Sequence, residues 1–163
     1  YDKSNIDAYL NRGYCYLNLQ NKNYLKAEKD FKKVLELDHT NQAAINNLQV
    51  VIEHNNQIKE ASDLCQQAYQ SYTARDYTST IAYCAKSISI DNTQPYPYYL
   101  IGRCYYVCEL YADAIKYFNQ ALTVDPTYTD ATKAIKSART LVWPPRSGQK
   151  TDGSISSPFP NSS

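Results

Sequence analysis

A chain of 163 residues is long enough to bury a real core, and its 17 Lys plus Arg against 16 Asp plus Glu leave a formal net charge of +1. That balance excludes the basic arm of a nucleic-acid binder and an acidic solvating tail. No run approaches the roughly 18 apolar residues of a bilayer span, and Tyr1-Asp2-Lys3-Ser4 is not a secretory signal, so a soluble, cytoplasmic chain that binds neither nucleic acid nor membrane is expected.

The first element is a helical hairpin over about 6–41. Tyr9, Gly13, Tyr16 and Tyr24 lead into Ala27-x3-Phe31-x2-Val34-Leu35 and close on Leu37-Asp38-His39. Gly13 to Ala27 spans 14 residues, against 12 for Gly102 to Ala114 further on, and the two extra residues fit the polar run Asn18 to Asn23. A connecting helix over 42–60 follows, with Ala44, Ile45, Leu48, Val51 and Ile52 at helical spacing. No Gly or Pro interrupts its path into Ala61, Leu64, Cys65 and Ala68, which predicts one helix of about 30 residues.

A second hairpin over 61–94 is marked by Ala68, Tyr77, Thr80, Cys84, Ser87-Ile88 and Asp91-Asn92. Ser87-Ile88-Ser89-Ile90 alternates like a strand, but the register of the hairpins puts a helix end there. The third hairpin, 95–128, has the clearest spacing: Tyr98-x2-Ile101-Gly102-x2-Tyr105, Tyr111, Ala114-x3-Phe118-x2-Ala121-Leu122 and Asp125-Pro126. Gly102, without a side chain, lets the first helix approach the second, and Pro126 stops the second. A cap helix over 129–143 carries one stripe of Ala131, Ala134, Ile135, Ala138, Leu141 and Val142, with Lys133, Lys136 and Arg139 outside it. From Pro144-Pro145 to Ser163 the Ser, Gly and Pro content predicts a disordered tail. The start without Met is read as that of a fragment or processed piece.

The third hairpin resembles the tetratricopeptide repeat (TPR), W-x2-L-G-x2-Y…A-x3-F…P, with Tyr98 for the Trp and Ile101 for the Leu; the first and second hairpins are further copies, His39 standing where Pro is usual. The resemblance implies an all-α TPR solenoid over 1–143, with the long connecting helix and the cap helix, and the tail 144–163 outside it. It also implies an inner groove, lined by the first helix of each repeat, that binds an extended peptide. At helical spacing these groove positions are Asp7, Leu10, Asn11, Tyr14, Leu17 and Asn18; then Ser62, Cys65, Gln66, Tyr69, Tyr72 and Thr73; then Tyr96, Tyr99, Leu100, Arg103, Tyr106 and Val107. Asn11, Tyr14, Asn18, Gln66, Tyr69, Tyr72, Tyr96, Tyr99, Arg103 and Tyr106 are the candidate partner-binding residues, because tyrosine offers a large rigid face and a hydroxyl.

No catalytic constellation emerges. His39 and His54 sit near no nucleophile motif, and no glycine-rich phosphate loop exists. Cys104 and Cys108, four residues apart, lack the second ligand pair of a zinc site and read as core. The other cysteines, Cys15, Cys65 and Cys84, bring the count to an odd five, which favours reduced thiols. Lys22, Lys26, Lys29, Lys32 and Lys33 are interleaved with Glu28, Asp30, Glu36 and Asp38, a solvated face. The sequon Asn161-Ser162-Ser163 reads as accidental. No cofactor and no metal are expected.

Two subfamily likenesses narrow the partner. Ala8-Tyr9-Leu10-Asn11-Arg12-Gly13 is similar to the middle repeat of the clamp that holds acidic chaperone tails, Asn11 matching its asparagine. The clamp's lysines are replaced, the equivalent positions holding Leu10, Tyr14, Ser62, Gln66, Tyr96 and Leu100. The ending Val34 to Asn41, running into a long helix, resembles TPR regions of J-domain co-chaperones, without that domain's His-Pro-Asp. The resulting expectation is a non-enzymatic scaffold for a protein or peptide partner, plausibly a co-chaperone or adaptor. The alternatives are a spacer within a multidomain protein, or the targeting region of an enzyme whose catalytic domain lies elsewhere.

Overall fold

A computed structural model describes residues 3–19 and 22–142; Trp143 and the predicted tail 144–163 lie outside the described residues. Among these residues the chain is all-α. Seven helices follow one another: α1 (Lys3–Asn18), α2 (Tyr24–Leu37), α3 (Gln42–Thr73), α4 (Tyr77–Ile90), α5 (Pro95–Val107), α6 (Tyr111–Val124) and α7 (Thr129–Val142). The alternating Ser87 to Ile90 stretch ends α4 and is not a strand. The chain forms two units, residues 1–58 and 59–163, and the division falls within α3.

Helix ends follow local chemistry. Asn23, Asn41 and Asp76 each accept a backbone N–H three residues on, at 3.0–3.1 Å, and so satisfy donors that the first turns of α2, α3 and α4 leave free. Pro95 opens α5, where a missing N–H costs nothing. One device closes α2, α4 and α6 alike. Asp38, Asp91 and Asp125 each donate their N–H to the carbonyl four residues back. The side-chain Oδ1 of each accepts both the N–H and the hydroxyl of the threonine two residues later, at 2.6–3.0 Å. Asp-x-Thr is thus the repeat's own punctuation, with Pro126 and His39 merely occupying the middle position.

Those bonds hold the Asp38 and Asp125 carboxyls below the ordinary carboxylate range, through the threonine side chain first and its backbone N–H second. A carboxyl with a lowered folded pKa stabilises fully above its unfolded value, about 3.9, and loses that contribution as pH falls through the folded one. Asp125→Asn is therefore expected to be less stable than the parent in urea unfolding at neutral pH, the gap narrowing as pH drops below about 4. A gap independent of pH would show that charge has no part in the turn.

The α3–α4 and α5–α6 turns share another pattern. Asp76 and Leu110 donate their N–H groups to Ser71 and Tyr105, while Arg75 and Glu109 donate to Tyr72 and Tyr106, the paired bonds of a Schellman motif. Arg75 and Glu109 consequently sit at φ of +63° and +61°, left-handed backbone that glycine takes at least cost.

In the first unit Ile6, Ala27, Phe31, Val34, Ala44 and Val51 form the core. In the second, α4 packs on α5, α5 on α6, and α6 on α7, around Ala68, Cys84, Leu100, Ile101, Phe118, Ala121, Ala131 and Ile135. Two phenylalanines anchor the hairpins. A Cβ placed on Gly13 would lie 2.6 Å from Phe31 Cε1, and one on Gly102 2.5 Å from Phe118 Cε1. The absent side chain is the seat of each ring.

The hairpin with Thr80, Cys84 and Ser87 in place of Ala, Phe and Ala keeps these residues buried. Thr80 Oγ1 donates to the Asp76 carbonyl at 2.7 Å, and Ser87 Oγ to that of Ala61 at 2.9 Å. Each hydroxyl thus recovers in the interior the bond it would have made to water. In α7, Ala131, Ile135 and Ala138 are buried, but Leu141 and Val142 are exposed. Among the described residues the predicted apolar stripe is thus buried only as far as Ala138.

Candidate peptide-binding pocket

The candidate residues fall into both units. Asn11 and Asn18 are exposed on α1, and Tyr14 is half-buried, its ring edge-on to Phe31 at 6.0 Å. Gln66 and Tyr69 are exposed on α3, whereas Tyr72, Tyr96, Tyr99, Arg103 and Tyr106 are half-buried in the second unit. Leu100, read as a groove position, instead enters the core of the second unit. With about 100° between successive helical residues, the face read as groove extends onto the packed flank of α5.

Three of the candidates form one assembly. The Arg103 guanidinium lies over the rings of Tyr72 and Tyr99, 5.7 and 5.8 Å from their centroids, and donates to the Tyr99 hydroxyl at 3.0 Å. Burial works against its charge, but the bond to Tyr99 and the two phenols more than compensate, so its pKa rises. Tyr99 is itself held by Phe118 and Tyr128, each 5.6 Å away between centroids. Tyr106 stands edge-on to Tyr111 at 5.3 Å. Burial, with Cys84 second, pushes the Tyr96 phenol up to about 12.

Tyr99, Arg103 and Tyr106 line a pocket of about 280 Å³ between α5 and α7, and Asp130, Lys133, Ala134 and Ser137 complete it. The sequence alone places these four α7 residues on a cap helix, with Lys133 outside its apolar stripe. Their register already held the signal: Asp130, Lys133 and Ser137 stand 34 residues after Tyr96, Tyr99 and Arg103, one TPR length. The helix read as a cap therefore carries residues at the repeat positions of those α5 residues and lines the same pocket with Tyr99 and Arg103. Lys133 Nζ lies 4.0 Å from Asp130 Oδ1, both side chains largely exposed.

Other singled-out groups do other work. His54 stacks on Tyr24 with centroids 3.6 Å apart, and His39 is exposed. Cys84 and Cys104 are buried. Burial raises both thiols, that of Cys104 to about 12 against the opposing pull of Thr80, which disfavours the reactive thiolate. Cys108 is only half-buried. Among the described residues no three His, Cys, Asp or Glu side chains gather as a metal site, and no helix is long and apolar enough to cross a membrane. Lys32 pairs with Glu28 at 2.6 Å and Lys33 with Glu36 at 2.7 Å on α2's solvated face.

One polar pair was not anticipated. Arg12 grips the buried Asp30 with both arms, Nε to Oδ2 at 2.8 Å and Nη2 to Oδ1 at 2.7 Å. The hydrogen bond first, and the charge second, raise the Arg12 pKa. Such a fork joins α1 to α2 in the first unit.

Comparison with family models agrees with the repeat register. Family models described as tetratricopeptide repeat match residues 6–41 and 95–128. The general transcriptional corepressor ssn6 of Schizosaccharomyces pombe is 35% identical over 78 residues, 46% of this chain and 7% of that protein; the chain thus spans a small part of this relative. Similar solved structures include a Thermobaculum terrenum O-GlcNAc transferase mutant, with a TM-score of 0.38 and 16% identity over 84% of this chain and 22% of that one. The TPR2AB-domain:pHSP90-complex of yeast Sti1 has a TM-score of 0.30 and 16% identity over 83% of this chain and 67% of that one. With two matched repeats, each seating a phenylalanine on a glycine and ending on Asp-x-Thr, the chain belongs to the tetratricopeptide repeat family.

Proposed function

We propose that this chain is a protein-interaction scaffold, a binding module and not an enzyme, and that it holds an extended segment of a partner protein in the α5–α7 pocket. On this reading 1–143 is one TPR domain, with a third repeat over 61–94 between the two matched ones. The observation that carries the reading is the facing of Tyr99, Arg103 and Tyr106 by Asp130, Lys133 and Ser137. Rigid aromatic walls with a few polar groups are what a peptide site needs, since they offer contact area at little entropic cost. Tyr69, Tyr72 and Tyr96 extend the surface along the second unit, and Asn11, Tyr14 and Asn18 offer a second contact on the first.

Within this reading an adaptor is favoured over a chaperone-tail clamp. Leu10, Tyr14, Ser62, Gln66, Tyr96 and Leu100 supply no paired cations to hold two carboxylates by charge-assisted bonds. The likeness to a corepressor also favours an adaptor role within a larger assembly.

Fluorescence anisotropy with a labelled, randomised heptapeptide library tests the proposal. Tyr106→Ala is expected to weaken binding about tenfold, the effect of losing an aromatic anchor. Leu25→Ala, at a residue 78% exposed on the first unit, leaves binding unchanged. Equal binding by parent and Tyr106→Ala, with unfolding midpoints matched, would move the site elsewhere.

A further inference from the structure

Arg103 is the one group in the pocket whose surroundings demand something from outside. It is half-buried, and of its five N–H donors the hydroxyls of Tyr99 and Tyr72 engage two at most. Among the described residues no carboxylate lies within 4.0 Å of it. Its charge rests on the rings and the hydroxyl oxygens of Tyr72 and Tyr99, all of them neutral groups. By contrast Arg12, an exposed cation of the first unit, is matched by a carboxylate, which it holds through two bonds to Asp30.

We infer that the pocket selects its partner through one acidic side chain, a glutamate or aspartate of the bound segment, and disfavours a phosphorylated residue in the same place. This rests on the pocket being the peptide site. The charges that line it are Arg103, Lys133 and Asp130, which leave a surplus of one positive charge. One carboxylate cancels that surplus and can form paired, charge-assisted bonds to the guanidinium, strengthened by its partial burial. A phosphate group brings a charge of about −1.5 to −2 at neutral pH. It overshoots the surplus and meets Asp130. The Tyr106 ring and Ala134 give the methylene stem of the acidic side chain an apolar surface to lie on.

The arrangement differs from a clamp of paired lysines, because selectivity comes from one half-buried cation and from the Asp130 carboxylate that lines the same pocket.

Three blocked, labelled heptapeptide libraries that differ only at the central residue, glutamate, glutamine or phosphoserine, provide the test with the full chain at physiological salt. The glutamate library is expected to bind at least about fivefold more tightly than either of the others, the margin of one charge-assisted over one neutral hydrogen bond. Arg103→Met, which keeps an apolar stem between the tyrosines, removes the difference between glutamate and glutamine. Asp130→Asn, at an exposed position, brings the phosphoserine library up to the glutamate library. Equal binding of glutamate and glutamine libraries by the parent chain overturns the inference, as does tightest binding of phosphoserine. If that binding still falls with Tyr106→Ala, the peptide site itself stands; if no library binds, both readings fall.

Discussion

Phe118→Ala is expected to lower the unfolding free energy of the second unit by about 3–5 kcal/mol, the range for a fully enclosed phenylalanine. The ring has no exposed surface, and it lies where a side chain of Gly102 would otherwise be. Tyr99 leans on it with centroids 5.6 Å apart. Removing it therefore opens a cavity between α5 and α6 and frees the tyrosine that braces Arg103. Denaturant unfolding gives the magnitude, and hydrogen exchange locates it: amides of α5 and α6 lose protection. Phe31→Ala should act likewise on α1 and α2, since Phe31 is equally buried and seated on Gly13. A loss below about 1 kcal/mol at either ring would mean that the cavity closes by relaxation.

Gly102→Ala has the second largest expected effect and the opposite mechanism. In an ordinary helix alanine gains up to about 1 kcal/mol over glycine. Here the new Cβ would stand 2.5 and 2.6 Å from Phe118 Cε1 and Cδ1 and 3.2 Å from the Ala114 carbonyl oxygen. Carbon atoms prefer about 3.5–4.0 Å, and overpacking of this kind costs about 1–3 kcal/mol. The net expectation is a destabilisation of up to about 2 kcal/mol, from the difference between the two effects. A double-mutant cycle isolates the clash. In a Phe118→Leu background the offending ring atoms are gone, so Gly102→Ala should be neutral or stabilising there. Additive losses would place the cost outside the Gly102–Phe118 contact.

That pair also shows why the hairpins are legible in the sequence alone. Gly13 precedes Phe31 and Gly102 precedes Phe118 within the same spaced pattern of Tyr and Ala, and a helix crossing this close tolerates no Cβ on one side. The run without Gly or Pro from Gln42 onward likewise became a single helix of 32 residues. Asp-x-Thr occurs five times in the sequence, and only the geometry of the two bonds to Oδ1 of Asp38, Asp91 and Asp125 singles out the three copies that close helices.

The binding surface was less legible. Tyr99, Arg103 and Tyr106 were named from periodicity, yet periodicity could not tell Leu100, which the core takes, from the positions beside it. Nor did it show that α7 returns Asp130, Lys133 and Ser137 to the same pocket.

By itself, then, the amino-acid sequence determined the all-α class, the repeat register and the residues where helices start, cross and stop. These depend on backbone sterics and on contacts between positions at set spacing along the chain. Only the tertiary structure decided which half-apolar faces are covered, that Arg12 is matched by Asp30 across 18 residues, and that Arg103 is matched by no carboxylate among those described. The reason is physical: a charge is satisfied or left wanting by what folds against it, and that neighbour can lie anywhere in the chain.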